Sequence, residues 1–251
     1  MLAIVHASLS TGAAADQPRS PRHTEVWAGA DAGEDVWLIY SGGTIAPFGD
    51  IHDGGLRLRV AGGFGQYRYQ SHNPARGYAL ESFAATASFA DALVGYLWRL
   101  DPLILKLFIG AGLIEHDISP VDGHNLAQGP DFGAKAVAEV WVNIGPSAYA
   151  SVDIAWAQAH ETMSGRGRLG YRMSAPLSLG IEAAANVDQQ AAYKMSAEQV
   201  AYRTEAFDYG KVGAFVRYEW AGGEVSASAG LLGDVREQTS PYATLNWLMQ
   251  F

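Results

Sequence analysis

Residues 242–251, YATLNWLMQF, carry the clearest sign of the fold. One face of this stretch is wholly apolar, and the residues on it are Ala243, Leu245, Trp247, Met249 and Phe251. Residues 211–220 and 177–186 alternate in the same way. A period of two is typical of a β-strand that is apolar on one face. The C-terminal half of the chain therefore predicts strands rather than helices.

The same pattern predicts about twelve strands, separated by turn residues. They are 24–32, 35–45, 54–70, 79–99, 102–117, 129–143, 147–159, 162–174, 177–188, 208–220, 223–234 and 240–251. Tight turns are expected at Asp101-Pro102, Gly145-Pro146, Ala175-Pro176 and Ala221-Gly222, with longer connections at 117–128 and 187–207. Short turns at one end and long loops at the other are typical of bacterial membrane barrels. The prediction is an antiparallel transmembrane β-barrel in the bacterial outer membrane.

Composition agrees with this fold class. Only 17% of the 251 residues are charged, whereas soluble domains average about 25%. No uncharged apolar run approaches the roughly 18 residues of a transmembrane helix. The net charge of -9 argues against nucleic-acid binding. There are no cysteines, which excludes disulfides and thiolate sites.

Aromatic residues are expected to mark the membrane boundary at the tight-turn end. This girdle comprises Trp98, Trp141, Tyr149, Tyr171, Tyr218, Trp220 and Trp247. The terminal Phe251, after an alternating strand, resembles the signal read by the barrel-assembly machinery. Outer-membrane lipid and that machinery are the expected partners.

The N-terminal residues 1–15 contain no Asp, Glu, Lys or Arg and end in three alanines. They predict a secretory signal peptide. The basic segment of such signals is missing, so the stretch is either a truncated signal or a disordered tail. A flexible lead, 16–23, would then precede the barrel, 24–251.

Charged residues on the polar faces are expected to point into the lumen, because a charge at the lipid midplane costs about 2–4 kcal/mol. They are Arg57, Arg59, Lys106, Lys135, Glu139, Asp153, Arg168, Arg172, Glu182, Lys211, Arg217, Glu219 and Glu224. They could select a solute or pair with one another and fill the barrel. Pairing is favoured because the two signs nearly balance, although inward glycines (Gly110, Gly112, Gly133, Gly170, Gly180, Gly213) would open space.

Two strands depart from the pattern. The apolar stripe of 54–70 loses phase at Gln66, and a bulge near Gly62 or Gly65 would explain this. The strand 79–99 is overlong and is interrupted by Asp91.

Catalytic and metal-binding motifs are not evident. Asp117, Asp122 and His124, with Glu115 and His116 before them, match no ligand spacing. His116, His124 and His160 have Ser119 and Ser164 nearby, but no motif ties them together. We therefore expect no metal, no cofactor and no enzyme activity.

A longer stretch resembles a known family. Residues 107–140 read LFIGAGLIEHDISPVDGHNLAQGPDFGAKAVAEV, with the core HDISP at 116–120. This stretch is similar to the cellulose biosynthesis protein BcsS family of alphaproteobacteria, and the opening WAGAD at 27–31 and the segment 54–69 fit as well. The resemblance runs from about Val26 to Phe251, and it carries no catalytic residues.

The resemblance implies an accessory structural role in cellulose secretion, with a cellulose secretion complex or a glucan as partner. A small general porin or adhesive barrel unrelated to cellulose is the first alternative. A barrel enzyme acting on lipid, such as a phospholipase, is the second.

Overall fold

The computed structural model describes residues 21–73, 79–122, 125, 127–187, 209–233 and 239–251. Within these ranges, twelve antiparallel strands form one closed barrel, which confirms the predicted fold class. The strands are β1 (Thr24–Gly33), β2 (Val36–Ile45), β3 (Gly55–Asn73), β4 (Ala79–Leu100), β5 (Leu103–Ser119), β6 (Gly129–Ile144), β7 (Ala148–Ala157), β8 (Thr162–Arg172), β9 (Leu177–Val187), β10 (Tyr209–Trp220), β11 (Gly223–Gly233) and β12 (Thr239–Gln250). The first and last residues of each predicted strand lie within about three residues of the observed first and last residues.

The barrel closes where β1 pairs with β12. Glu25 lies opposite Gln250 and Gly33 lies opposite Tyr242, with unbroken pairing between them. Closure leaves no free strand edge, so every strand can satisfy its backbone hydrogen bonds within the barrel.

The two ends of the barrel differ in their connections. The β4–β5, β6–β7, β8–β9 and β10–β11 connections are tight turns at the end where β1 begins and β12 ends. In bacterial barrels the short turns face the periplasm, and we assign this end to that side. The exception there is the β2–β3 connection, residues 46–54. The predicted signal, 1–15, residues 16–20 of the predicted lead and the β9–β10 connection, 188–208, lie outside the described residues.

Side chains alternate between the interior and the outer surface. On β5, Lys106 and Phe108 point inward and are 5% and 1% exposed, whereas Leu107 and Ile109 point outward and are 41% and 64% exposed. Large aliphatic side chains cover the outside of most other strands in the same way. Such a continuous apolar outer surface is the lipid-facing band of a membrane barrel. No helix among the described residues is long and apolar enough to span a membrane.

The strands β3 to β6 form a long-strand wall. They have 16–22 residues, whereas each of the other eight has 10–12. The expected bulge in β3 is wrong, because Gly55–Asn73 pairs with β4 residue by residue without a break. Gln66 and Arg68 continue the outward face of Phe64. The apolar stripe ends there because about 9–11 residues suffice to cross the hydrocarbon, and β3 continues into water.

Outward aromatic residues mark both ends of the apolar band. Five predicted girdle residues lie outward near the periplasmic ends of their strands, 38–55% exposed: Trp98, Tyr171, Tyr218, Trp220 and Trp247. A second group, not predicted from the sequence, lies toward the opposite end and includes Trp37, Phe64 and Trp156. Two bands at separate depths fit the two boundaries of a bilayer.

Candidate functional site in the barrel lumen

The barrel interior gathers the charged residues of the polar strand faces. All thirteen residues expected in the lumen share the inward face of their strands. Ten of them are less than 9% exposed: Arg57, Arg59, Lys106, Lys135, Glu139, Asp153, Glu182, Lys211, Arg217 and Glu224. Arg168, Arg172 and Glu219 are half-buried.

Sequence reasoning missed further inward charges. Glu25, Asp91 and Arg166 are 1%, 6% and 5% exposed, and Asp31 is half-buried. The sequence did indicate the position of Arg166, because it lies two residues before Arg168 and therefore on the same face of β8. Asp91 does not interrupt β4, because it points inward and pairs with Lys135 on β6.

Most inward cations meet a carboxylate. Arg59 and Lys106 both contact Glu139, at 2.5 and 3.1 Å. The remaining pairs are Arg166–Asp153 (3.2 Å), Arg168–Glu182 (2.8 Å), Lys211–Asp31 (3.3 Å), Arg217–Glu219 (3.2 Å), Arg217–Glu224 and Lys135–Asp91. Breaking a buried pair leaves an uncompensated charge, which costs about 3–5 kcal/mol. The cost of breaking a pair therefore keeps each inward charge with its partner.

Several contacts cross the interior between strands that are not neighbours. Arg59 on β3 reaches Glu139 on β6, past β4 and β5. The Tyr242 hydroxyl on β12 donates to Glu182 on β9 at 2.9 Å. The Tyr40 hydroxyl on β2 donates to Asn246 on β12. These side chains occupy the lumen and join strands two or three places apart around the wall.

Five inward aromatic side chains lie against glycines of other strands. A Cβ atom placed on Gly63, Gly95, Gly170, Gly180 or Gly213 would overlap the side chain of Phe89, Phe108, Tyr149, Phe215 or Tyr242, respectively. These rings fill the space that three of the inward glycines, 170, 180 and 213, were expected to open. The side chains of Leu93, Lys135 and Gln158 lie over Gly110, Gly112 and Gly133.

A cation lies over each of these five rings. Arg59 lies 3.7 Å from the Phe108 centroid and Arg168 lies 4.8 Å from that of Phe215. The other contacts are Lys135 over Phe89 (5.6 Å), Lys211 over Tyr242 (5.2 Å), and Arg172 (5.0 Å) and Arg217 (5.6 Å) over Tyr149. The wall thus repeats a four-part unit of glycine, ring, cation and carboxylate. Ring and cation attract each other through the ring quadrupole.

The assignment of Trp141 and Tyr149 to the outer girdle is wrong. They are 5% and 1% exposed and stack on each other inside the barrel, with centroids 4.2 Å apart. Arg217 lies 5.1 Å from the Trp141 ring, and the Trp141 indole donates to Asn143. The physical reason is the alternation of side chains along a strand, because Trp141 lies two residues after Glu139 and shares the inward face of β6 with it.

His116 and His160 lie at the end of the barrel away from the periplasm. The His116 and His160 rings are 5.3 Å apart, and His116 Nδ1 lies 3.1 Å from the Tyr67 hydroxyl. His160 Nδ1 is 3.9 Å from Asp131. No group of three or more His, Asp or Glu side chains in the described part of the chain is placed to hold a metal ion. His124 lies outside that part.

The family of the chain follows from its sequence. The family model for cellulose biosynthesis protein BcsS matches residues 26–251. The chain belongs to the BcsS family. No curated protein sequence matches it.

Solved structures similar to this BcsS-family chain are bacterial outer-membrane barrels. The COG4313 outer membrane channel from Pseudomonas putida F1 has a TM-score of 0.55 at 13% identity, covering 97% of this chain and 100% of the other. The transport unit of the Escherichia coli autotransporter AIDA-I has 0.52 at 9%, covering 94% and 92%. KdgM porin has 0.50 at 7%, covering 90% and 99%. The likeness is one of fold, and with the apolar outer band it places this protein in the bacterial outer membrane.

Proposed function

We propose that this barrel is an accessory structural component of cellulose secretion at the outer membrane, and that it is neither an enzyme nor the path of the glucan. Membership of the BcsS family supports the link to cellulose. The observation that carries the accessory role is the ion-paired interior, in which Arg59, Glu139 and Lys106 join β3, β5 and β6.

The chemistry of the lumen does not suit a passing glucan. Cellulose is neutral, and a sugar ring binds to protein mainly through hydroxyl hydrogen bonds and contact with a free aromatic face. Five inward rings each contact a glycine of the wall and have a cation within 6 Å of the ring centroid, which leaves little of each ring open to a sugar. A chain entering the lumen would have to break buried ion pairs, each at a cost of several kcal/mol.

The partners proposed for this role lie around the barrel. Outer-membrane lipid surrounds the apolar band, and the family places the protein in cellulose biosynthesis. Contact with a cellulose secretion complex or with exported glucan, and insertion by the barrel-assembly machinery, are part of the proposal.

A complementation experiment tests the accessory role. Deleting the gene in its native host is expected to reduce secreted cellulose, measured by dye binding and by glucose released from purified extracellular glucan. The native gene should restore it. An Asp91→Asn, Lys135→Gln double variant, which neutralises both members of a buried pair, should restore it equally well, because no glucan passes the altered pair.

Two results would contradict the proposal. Undiminished cellulose in the deletion strain would remove the link to secretion and favour a small porin or adhesive barrel. A folded double variant that changes cellulose output would show that the lumen takes part in transport. Glu115→Gln provides the matched control, because it removes an exposed carboxylate on β5.

A further inference from the structure

The β2–β3 connection, residues 46–54, differs from the other connections at the periplasmic end. The other four are tight turns of a few residues between adjacent strand ends. This one is longer than closing a hairpin requires, since two residues suffice. Its path is fixed by contacts from Arg57 on β3, from Arg99 on β4 and from the backbone of residues 22 and 23.

Arg57 is the main contact on the inside of the barrel. It points inward from β3, and at 1% exposure it is among the largest fully buried side chains. Its Nη2 donates to the carbonyl oxygens of Ile51 (3.0 Å), Asp50 (3.3 Å) and Asp53, and its Nη1 donates to that of Leu56 (2.8 Å). Because an inward side chain reaches these carbonyls, residues 50–53 lie over the mouth of the lumen.

Arg57 differs from the other buried cations in its partners. Six of those cations have a carboxylate within salt-bridge distance. Arg57 is satisfied by backbone carbonyls, three of which belong to the 46–54 connection. Removing the connection would leave a buried guanidinium with little compensation, and removing the guanidinium would leave carbonyls without their donor. Each therefore holds the other in place.

Further contacts hold the connection in place. Arg99 on β4 donates from Nε to the His52 carbonyl at 2.9 Å. Backbone bonds join Ile51 N to Arg22 O at 2.6 Å and Ala46 N to His23 O at 2.8 Å. As a result, the Ile51 side chain is 1% exposed, whereas Phe48, at the tip of the same connection, is 79% exposed.

We infer that residues 46–54 form a cap that closes the periplasmic mouth of the barrel and that Arg57 is the latch that holds the cap down. The cap is a second closure, separate from the ion pairs in the middle of the lumen. It acts whether or not the protein serves cellulose secretion, so its test is independent of the proposed function.

Thiol labelling tests the cap directly, because the native chain has no cysteine. Ile51→Cys places a reporter in the buried part of the cap, and Phe48→Cys places one on its exposed tip. A membrane-impermeant maleimide is added to each folded, purified variant, and the labelling rate is followed by the gain in mass. With Arg57 present, Cys at 51 should react far more slowly than Cys at 48.

The latch is tested by combining Ile51→Cys with Arg57→Ala. The labelling rate at 51 should rise at least about tenfold, because losing even one charge-assisted hydrogen bond shifts a local opening by about that factor. Arg57→Met keeps the side-chain length without the donors, and it serves if the alanine variant does not fold. Arg68→Ala is the matched control, since Arg68 lies on the same strand but points outward. Retained heat-modifiable migration in gels shows that each variant is a closed barrel.

Either of two results would overturn the inference. If Cys at 51 reacts as fast as Cys at 48 while Arg57 is present, the cap is not docked. If Cys at 51 stays protected in the folded Arg57→Ala or Arg57→Met variant, Arg57 is not the latch.

Discussion

Individual glycines and aromatic residues explain how this lumen is filled. The chain has 29 glycines, and those under the inward rings allow each ring to lie flat on the wall. Tyr149 illustrates the arrangement, because its ring contacts Gly170, stacks on Trp141, and has Arg172 and Arg217 within 6 Å of its centroid. A flat ring presents its face to a cation, and the cation then pairs with a carboxylate. Glycine at these positions is therefore a packing requirement rather than a source of open space.

Gly170→Ala tests this packing at a single position. The added methyl group overlaps the Tyr149 ring, so overpacking should lower the free energy of unfolding by about 1–3 kcal/mol. Gly167→Ala on the same strand is the control, because its Cβ would meet no atom closer than 4.0 Å. The measurement is a urea unfolding curve in detergent micelles followed by tryptophan fluorescence. Equal midpoints for the two variants would show that the ring does not depend on Gly170.

The inward side chains show what the sequence could and could not predict at this scale. The alternation of side chains along the strand already placed Glu139 in the lumen, and Trp141 lies two residues further along the same face. Applying that rule to aromatic residues as well would have kept Trp141 and Tyr149 out of the girdle. The partner of each charge could not be predicted, because Arg59 and Glu139 are 80 positions apart. Their meeting depends on strand tilt and register, which no local pattern encodes.

At the scale of the strands, alternation and turn residues predicted nearly every boundary. They failed where a strand leaves the membrane. On β3 the outward face changes from Phe64 to Gln66 and Arg68 because its surroundings change from lipid to water, and the sequence shows only the change in polarity. A bulge and an emerging strand look alike in a hydropathy pattern, whereas the unbroken β3–β4 register separates them.

The final strand carries a prediction about assembly. Phe251 follows β12, its ring is 59% exposed on the outer surface, and its backbone bonds to β1 through Thr24 and His23. Deleting Phe251 should leave the protein in the periplasm or degraded, which fractionation and immunoblotting would measure. Phe251→Ala separates loss of the ring from loss of the backbone hydrogen bonds, since it removes the first and keeps the second. Normal outer-membrane levels of both variants would exclude a role for Phe251 as an assembly signal.

At the scale of the whole molecule, strand number and interior chemistry together set what can pass. Eight strands enclose a space that side chains just fill, and 16–18 leave an open channel. Twelve strands lie between these limits, so the inward side chains decide. Here they are large, they pair across the interior, and the 46–54 connection lies over one mouth. A closed barrel of this kind is expected to be rigid and poorly permeable.

Single-channel recording on the purified protein tests that expectation. In planar bilayers the native barrel should show no steady conductance, or only a very small one, because ion pairs such as Arg59–Glu139 cross the lumen. Replacing Arg59, Lys106 and Glu139 together by alanine removes three large side chains without leaving any charge of this cluster unpaired, so brief or small openings should become more frequent. Heat-modifiable migration confirms that each sample is a folded barrel, and Arg68→Ala controls for the loss of an arginine. A large, steady conductance of the native protein that cello-oligosaccharides block would contradict the accessory role, since only a lumen open to glucan can be blocked in this way.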